Sequence, residues 1–377
     1  MSKAVSAITA TTTISGSKQM LSIGSFRGNG WRSLAAWPQA ALIAISAMMP
    51  ASSFAEDISQ RSWGTLTEEN NNLGADSDRY YVNGVNISWL SPSLSHHDGW
   101  QSQMAGSIAD ALPLLFANEG TRDRRIDWTI LSQQIYTPAN KSASIPDPQD
   151  RPYAGWLYTG FDVLQDQDAR RLDDLSVTLG VVGPAALGHP VQNGVHKLLG
   201  YGSANGWSYQ LKNEAAFTAA YARKWRFVEA IPDTGGLQAD VIPELGATVG
   251  NVVDQAEATM IARIGWGLDT SYGPRLLSPG MEGDGYFAAE RGPRSGGYLF
   301  GGVQGRGVAH NIFLDGNTWQ DGPSVVRYPW VHQVMAGFSV YGWQRIRADF
   351  VYVHESEEFH TQQGDESYGS VTLSMAW

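Results

Sequence analysis

Ser370-Val-Thr-Leu-Ser-Met-Ala-Trp377 closes the chain and decides its fold. Val371, Leu373, Met375 and Trp377 fall on one face, and Ser370, Thr372, Ser374 and Ala376 on the other. A period of two gives one apolar and one polar side only in an extended strand. A bilayer admits strands when they close into a barrel, because every backbone group then pairs with a neighbouring strand and only alternate side chains meet lipid. An edge strand of a soluble sheet shows the same alternation, so the rest of the chain must choose.

Similar tracts recur upstream near 62–70, 80–91, 126–137, 154–164, 172–182, 214–229, 237–250, 256–268, 296–308, 328–341 and 345–355, separated by Gly, Pro, Asp and Asn clusters. The total is about twelve, and an even number suits a single-chain bacterial barrel. No segment after the N-terminal region offers 18 apolar residues in a row, so helices do not supply a crossing. The fold class expected is all-β: a transmembrane antiparallel β-barrel of about 12 strands with short loop helices, in one domain over 56–377. A terminal strand ending on an aromatic residue resembles the assembly signal of outer-membrane barrels, which makes the barrel assembly machinery an expected partner. Two stretches read as loop helices. Trp100 to Leu115 spaces Met104, Ile108 and Leu112 four apart, and Pro190 to Gly200 starts on Pro and stops on Gly.

Composition agrees. The 42 Gly with 14 Trp, 15 Tyr and 12 Phe suit turns and pleated surfaces, whereas a helical protein is richer in Leu, Ala, Glu and Lys. With no Cys there is no disulfide scaffold, thiolate metal site or Cys nucleophile. A net charge of −11 with 26 Lys and Arg argues against a nucleic-acid partner, which needs a clustered basic face. Near the N-terminus Arg27 and Arg32 precede an apolar run, Leu34 to Met49, then Pro50 and the small-residue site Ser53-Phe54-Ala55. Residues 1–55 therefore read as a signal peptide with an N-terminal extension, cleaved after Ala55, with Met20 as an alternative start.

Three polar clusters interrupt the strands. Glu69-Asn70-Asn71-Asn72, with Asp76, Asp78, Arg79 and Asn83, offers hard oxygens of the kind Ca²⁺ prefers; it also reads as an Asn/Asp-rich turn. Lys141, followed by Asp150-Arg151-Pro152-Tyr153-Ala154-Gly155-Trp156, brings cations suited to a phosphate or an oxyanion, or a solvated loop with Tyr153 and Trp156 in an interfacial girdle. Gln192 and His196 share a helix face, and His196 is the best placed of the eight histidines to act as a base, although a lone helical His also serves as a surface residue. No Gly-x-Ser-x-Gly elbow and no His-Glu-x-x-His occurs, so neither a soluble-lipase triad nor a zinc protease is supported.

Taken in order, Glu69-Asn70-Asn71, Asp78-Arg79-Tyr80-Tyr81-Val82-Asn83-Gly84, Asp150 to Trp156, Gly180-Val-Val-Gly-Pro184, Gln192 to His196 and Asn311 to Asn317 resemble the LpxR-type lipid A 3′-O-deacylase family. The likeness spans nearly all of the mature chain. It implies a twelve-stranded barrel in the bacterial outer membrane, working as a Ca²⁺-dependent hydrolase that removes an ester-linked acyl chain from lipid A, a lipopolysaccharide modification. It also implies roles: His196 activates water, Lys141 and the cation meet the oxyanion, and Asn70 and Asn71 with Gln192 complete the catalytic set. Asn71, Glu69 and Asn83 are the expected metal ligands. Lipid A, lipopolysaccharide and outer-membrane lipid are the expected partners.

This chain departs from the family pattern at three places. An acidic residue of the first strand is replaced by Asn71, a hydroxyl residue of the second by Val82, and the acid expected about six positions after the His falls near Gly202. Glu69, Asn83 or Glu214 would have to compensate. The competing reading is a non-catalytic outer-membrane barrel, whether lipid-binding, structural or a pore, on the same scaffold.

Overall fold

The computed structural model describes residues 58–74, 79–94, 99–116, 120–232, 234–277 and 285–377. The signal peptide, its cleavage after Ala55 and the start at Met20 lie outside these residues, as do Asp76 and Asp78. The strands are β1 (Trp63–Asn70), β2 (Tyr80–Leu90), β3 (Arg122–Thr137), β4 (Ala154–Gln167), β5 (Arg171–Val182) and β6 (Glu214–Trp225, continued by Phe227–Ala230). They go on as β7 (Gln238–Gly250), β8 (Val253–Trp266), β9 (Gly296–Asn311), β10 (Trp330–Gly342), β11 (Ile346–Glu355) and β12 (Glu366–Ala376). Each pairs antiparallel with the next, and both parts of β6 pair with β7, so they count as one interrupted strand. β12 returns to β1, from Trp63 opposite Ala376 to Asn70 opposite Gly369, and closes a barrel of twelve. Closure leaves no open edge, the condition for backbone in hydrocarbon.

Alternation sets the two faces. Along β8, Gln255, Glu257, Thr259 and Arg263 point inward and are buried. Ala256, Ala258, Met260, Ala262, Ile264 and Trp266 point outward. On β12 the inward hydroxyls pair with β1: Thr372 with Thr67 at 3.0 Å and Ser374 with Thr65 at 2.9 Å. Val371, Leu373 and Met375 take the lipid side. Trp377 lies against Gly64, where a Cβ would come within 2.6 Å of the indole, so the last ring seats only on a glycine.

The lumen is filled. Ion pairs such as Arg263–Asp240, Arg347–Asp349 and Arg306–Glu355 occupy it. The described parts of the connection between β8 and β9, residues 267–277 and 285–295, fold back into it from the end where β1 starts and β12 finishes, called here the terminal end. Arg275 reaches Ser88 and Asp127, the Leu277 N–H donates to Glu69 Oε1 at 2.8 Å, and Tyr286 donates to Asp123 at 2.8 Å. From the opposite end Phe313 stacks on Tyr136 with ring centroids 4.2 Å apart. Inward charges without such partners would face a large desolvation cost, so the plug and the lumen stabilise each other.

Helix α1 (Asn71–Gly74) follows β1, α2 (Trp100–Ala111) lies between β2 and β3, α3 (Gly188–Leu199) between β5 and β6, and α4 (Ile312–Asp315) follows β9. α2 ends before Pro113, and α3 ends on Gly200 in the left-handed conformation, φ 79°. Both helices fall where the sequence places them.

Candidate active site

α3 sits over the outer wall near the end opposite the terminal end. Gln133, pointing outward from β3, donates to the Ala186 carbonyl at 2.6 Å and holds the start of the connection. Val82, Ile135, Tyr153, Ala204 and Trp207 form a buried apolar cluster beneath it. Trp207 donates through Nε1 to Gln192 Oε1 at 2.9 Å, which fixes one face of α3. Asn193 clamps Ala204 in both directions, accepting from its N–H at 2.8 Å and donating to its carbonyl at 3.0 Å. These bonds bend residues 200–206 back under the helix.

The bend brings the Gly202 carbonyl 2.7 Å from His196 Nδ1. A carbonyl oxygen only accepts, so Nδ1 carries the proton and Nε2 the lone pair. Burial, and then the charge of Lys141, hold the imidazole below its ordinary pKa, while the Gly202 bond opposes them. His196 is therefore neutral at physiological pH, in the tautomer of a general base. Lys141 is the partner on the next connection. Its backbone carbonyl accepts from Tyr153 Oη and from the Asn205 N–H, both at 2.9 Å, and burial pushes its ammonium down to about 8. The structure thus brings together His196, Gln192 and Lys141.

The first cluster divides. Strand parity sends Glu69 into the lumen, where Tyr81 Oη at 2.8 Å and the Leu277 N–H engage its two oxygens. Asn70 and Asn83 lie on the outer wall, and the residue that accompanies them is Glu68, whose Oε1 accepts from Asn83 Nδ2 at 2.9 Å. A register shift between Tyr81 and Asn83 re-aims this part of β2, as bulges do, and turns both Val82 and Asn83 outward. Period two within β1 separates Glu68 from Glu69, so Glu69, expected as a ligand with Asn83, does not share the outer wall with it. Asn70 Oδ1 accepts from the Asn72 N–H at 2.8 Å, and Asn71 Nδ2 donates to the Arg79 carbonyl at 3.0 Å. Asn71 Oδ1 is buried without a partner among the described residues. That orphaned hard oxygen suits a cation, but no group of three His, Asp or Glu side chains gathers around it among the described residues.

Three other expectations are corrected. Arg151 is fully buried and paired with Glu358 at 2.6 Å, so it supports the loop instead of holding phosphate. Tyr153 and Trp156 do not form a lipid girdle, since Tyr153 lies under Trp207 and Trp156 stacks on Tyr158, a lumen ring, at 3.9 Å. Glu214 does not compensate for lost acids near Asn71; it accepts from Asn317, Thr318 and Asn251 and ties the loop after α4 to the barrel. The Asn311–Asn317 stretch serves the same purpose, with Asn311 capping α4 through Phe313 N.

The family model for the outer membrane protein LpxR matches residues 40–377. The chain belongs to the LpxR family. Among solved structures, LpxR from Salmonella typhimurium is similar at 19% identity, with a TM-score of 0.64 over 83% of this chain and 99% of that one. The β domain of the Bordetella autotransporter BrkA matches at 11% identity and a TM-score of 0.38, over 84% and 99% of the two chains. No curated protein matches the sequence significantly. The LpxR family and the closed barrel place the protein in the bacterial outer membrane.

Proposed function

We propose that this LpxR-family barrel is a lipid A deacylase, hydrolysing an ester-linked acyl chain of lipopolysaccharide with water activated by His196. The observation that carries this reading is the bond between His196 Nδ1 and the Gly202 carbonyl, which supplies from the backbone the orientation that an acidic side chain would otherwise give. Water attacks the acyl carbonyl and passes a proton to His196 Nε2. The tetrahedral oxyanion forms beside the Lys141 ammonium, and on its collapse the imidazolium returns the proton to the departing sugar alkoxide. Gln192, locked by Trp207, orients substrate or water. The α3 connection, at 183–213, lies at the end opposite the terminal end, and this reading puts that end in the outer leaflet, which holds lipopolysaccharide. Val191, Leu198 and Tyr201, exposed on and next to α3, suit acyl chains.

Calcium is part of the proposal. Asn71 Oδ1, with Glu68 and Asn83 on the outer wall nearby, would hold it, and the ion when bound would add positive charge for the oxyanion. The replacement of acids at Asn71 and Gly202 favours the second reading, a non-catalytic lipid-binding barrel, over a pore, since the plug fills the lumen. Purified barrel in detergent with Ca²⁺ is expected to release fatty acid from lipid A and to lose this with His196→Ala. Calorimetry separates the two readings further: Ca²⁺ binding that disappears in Asn71→Ala supports the enzyme. Folded protein that leaves lipid A intact refutes it.

A further inference from the structure

Far from His196, at the terminal end, α2 lies against the outer wall. Ala105 and Ala109 are buried against Ile126 and Val163, with Trp128 and Phe161 packed beside them. Ile126 and Trp128 alternate along β3 with Asp123, Arg125 and Asp127, which face the plug, so α2 covers the lipid side of the barrel. A polar seam on the same wall receives the end of the segment. Asp173, fully buried, accepts from Arg223 Nε at 2.6 Å and Tyr221 Oη at 2.8 Å, and Arg223 Nη2 also donates to the Leu115 carbonyl at 2.9 Å. Charge on a lipid-facing wall is tolerated near the headgroups and costs far more at the mid-plane, so the seam marks the membrane boundary. Farther along the same strands, Leu175, Val177, Leu179 and Phe217 continue the outward face into the hydrocarbon band.

Gln103, Ser107 and Asp110 form an exposed polar stripe at helical spacing; Trp100, 62% exposed, begins on that same face at the helix start but leans its ring toward Trp128, with centroids 5.9 Å apart, and Leu114, 90% exposed, lies beyond the helix end. Trp100 thus adjoins a ring of the lipid-facing wall, Leu114 sits beside the polar seam, where its carbonyl accepts from Arg223 at 3.4 Å, and Trp favours the level where hydrocarbon meets headgroups.

We propose that α2 and residues 112–116 form an interfacial anchor seated in the phospholipid leaflet at the terminal end of the barrel. Trp100 and Leu114 enter the boundary of the acyl region, and the Gln103–Ser107–Asp110 stripe faces water. The occupant is lipid because Trp100 adjoins Trp128, a ring of the lipid-facing wall, and Leu114 lies at the polar seam that marks the membrane boundary.

The chain has no Cys, so single labels are unambiguous. Leu114→Cys, Trp100→Cys and Ser107→Cys variants carry a nitroxide and are folded into phosphatidylethanolamine–phosphatidylglycerol vesicles. At positions 114 and 100 the label is expected to collide more with oxygen than with a water-soluble nickel chelate, and at position 107 the order reverses. Two variants at opposite ends of the segment keep the test valid if one fails to fold. A label at 114 and 100 as open to the nickel chelate as the one at 107 overturns the anchor. Shielding from both reagents overturns it as well, because a protein then covers the patch.

Discussion

Replacing Glu358 by glutamine removes the charge partner of a guanidinium that has no access to water. Arg151 is fully buried, its Nη1 lies 2.6 Å from Glu358 Oε2, and its plane covers the Tyr136 ring at 4.7 Å. Removing one member of a buried pair costs about 3–5 kcal/mol, since the other stays uncompensated. Glu366 also acts on Arg151, which places the expected loss near the lower limit, about 3 kcal/mol. At a urea slope of about 1–3 kcal/mol per molar, the midpoint falls by roughly 1–3 M. The segment that loosens is residues 138–153, because Asp150, next to Arg151, holds the Ala139 N–H at 2.8 Å, and this loop carries Lys141. The assay is urea unfolding of vesicle-inserted barrel, followed by the gel mobility of folded against unfolded protein. Arg151→Met with Glu358→Met, which replaces the pair by apolar bulk, is expected to recover most of the loss. A midpoint unmoved by Glu358→Gln refutes the reasoning.

Other perturbations address the site and the lumen. Hydrolysis is expected to fall on the alkaline side near pH 8, where Lys141 loses its proton, and on the acid side below pH 6.5, where His196 gains one. Lys141→Met removes the charge that depresses His196 and shifts the acid limb upward, which a pH–rate profile in detergent measures. Gly202→Glu has room, as a Cβ there meets nothing within 4 Å. Activity should stay within about fivefold, the roughly 1 kcal/mol between a neutral and a charged acceptor; a far larger gain would show that the backbone carbonyl does not orient His196. In planar bilayers the barrel is expected to show no steady conductance, and a stable ohmic channel contradicts the plug.

Much of this was legible in the sequence, for local reasons. The alternation from Val371 to Trp377 and the twelve tracts gave the strands, and the four-residue step from Gln192 to His196 gave the platform. What escaped depended on long-range pairing. Arg151 and Glu358 are 207 residues apart, and nothing in the loop around Arg275 announces that it turns inward to Asp127. Which carboxylate of Glu68 and Glu69 faces the outer wall depends on strand parity, which puts Glu69 in the lumen and Glu68 beside Asn83. Gly202 read as a missing acid because a side-chain pattern carries no information about a backbone carbonyl.

The central claim is tested most directly by mass spectrometry of lipid A from cells that express the protein, the His196→Ala variant or neither. Loss of one acyl chain only with the wild-type barrel is the predicted result. Identical lipid A spectra from all three, with wild-type and variant folded in the outer membrane, contradict it.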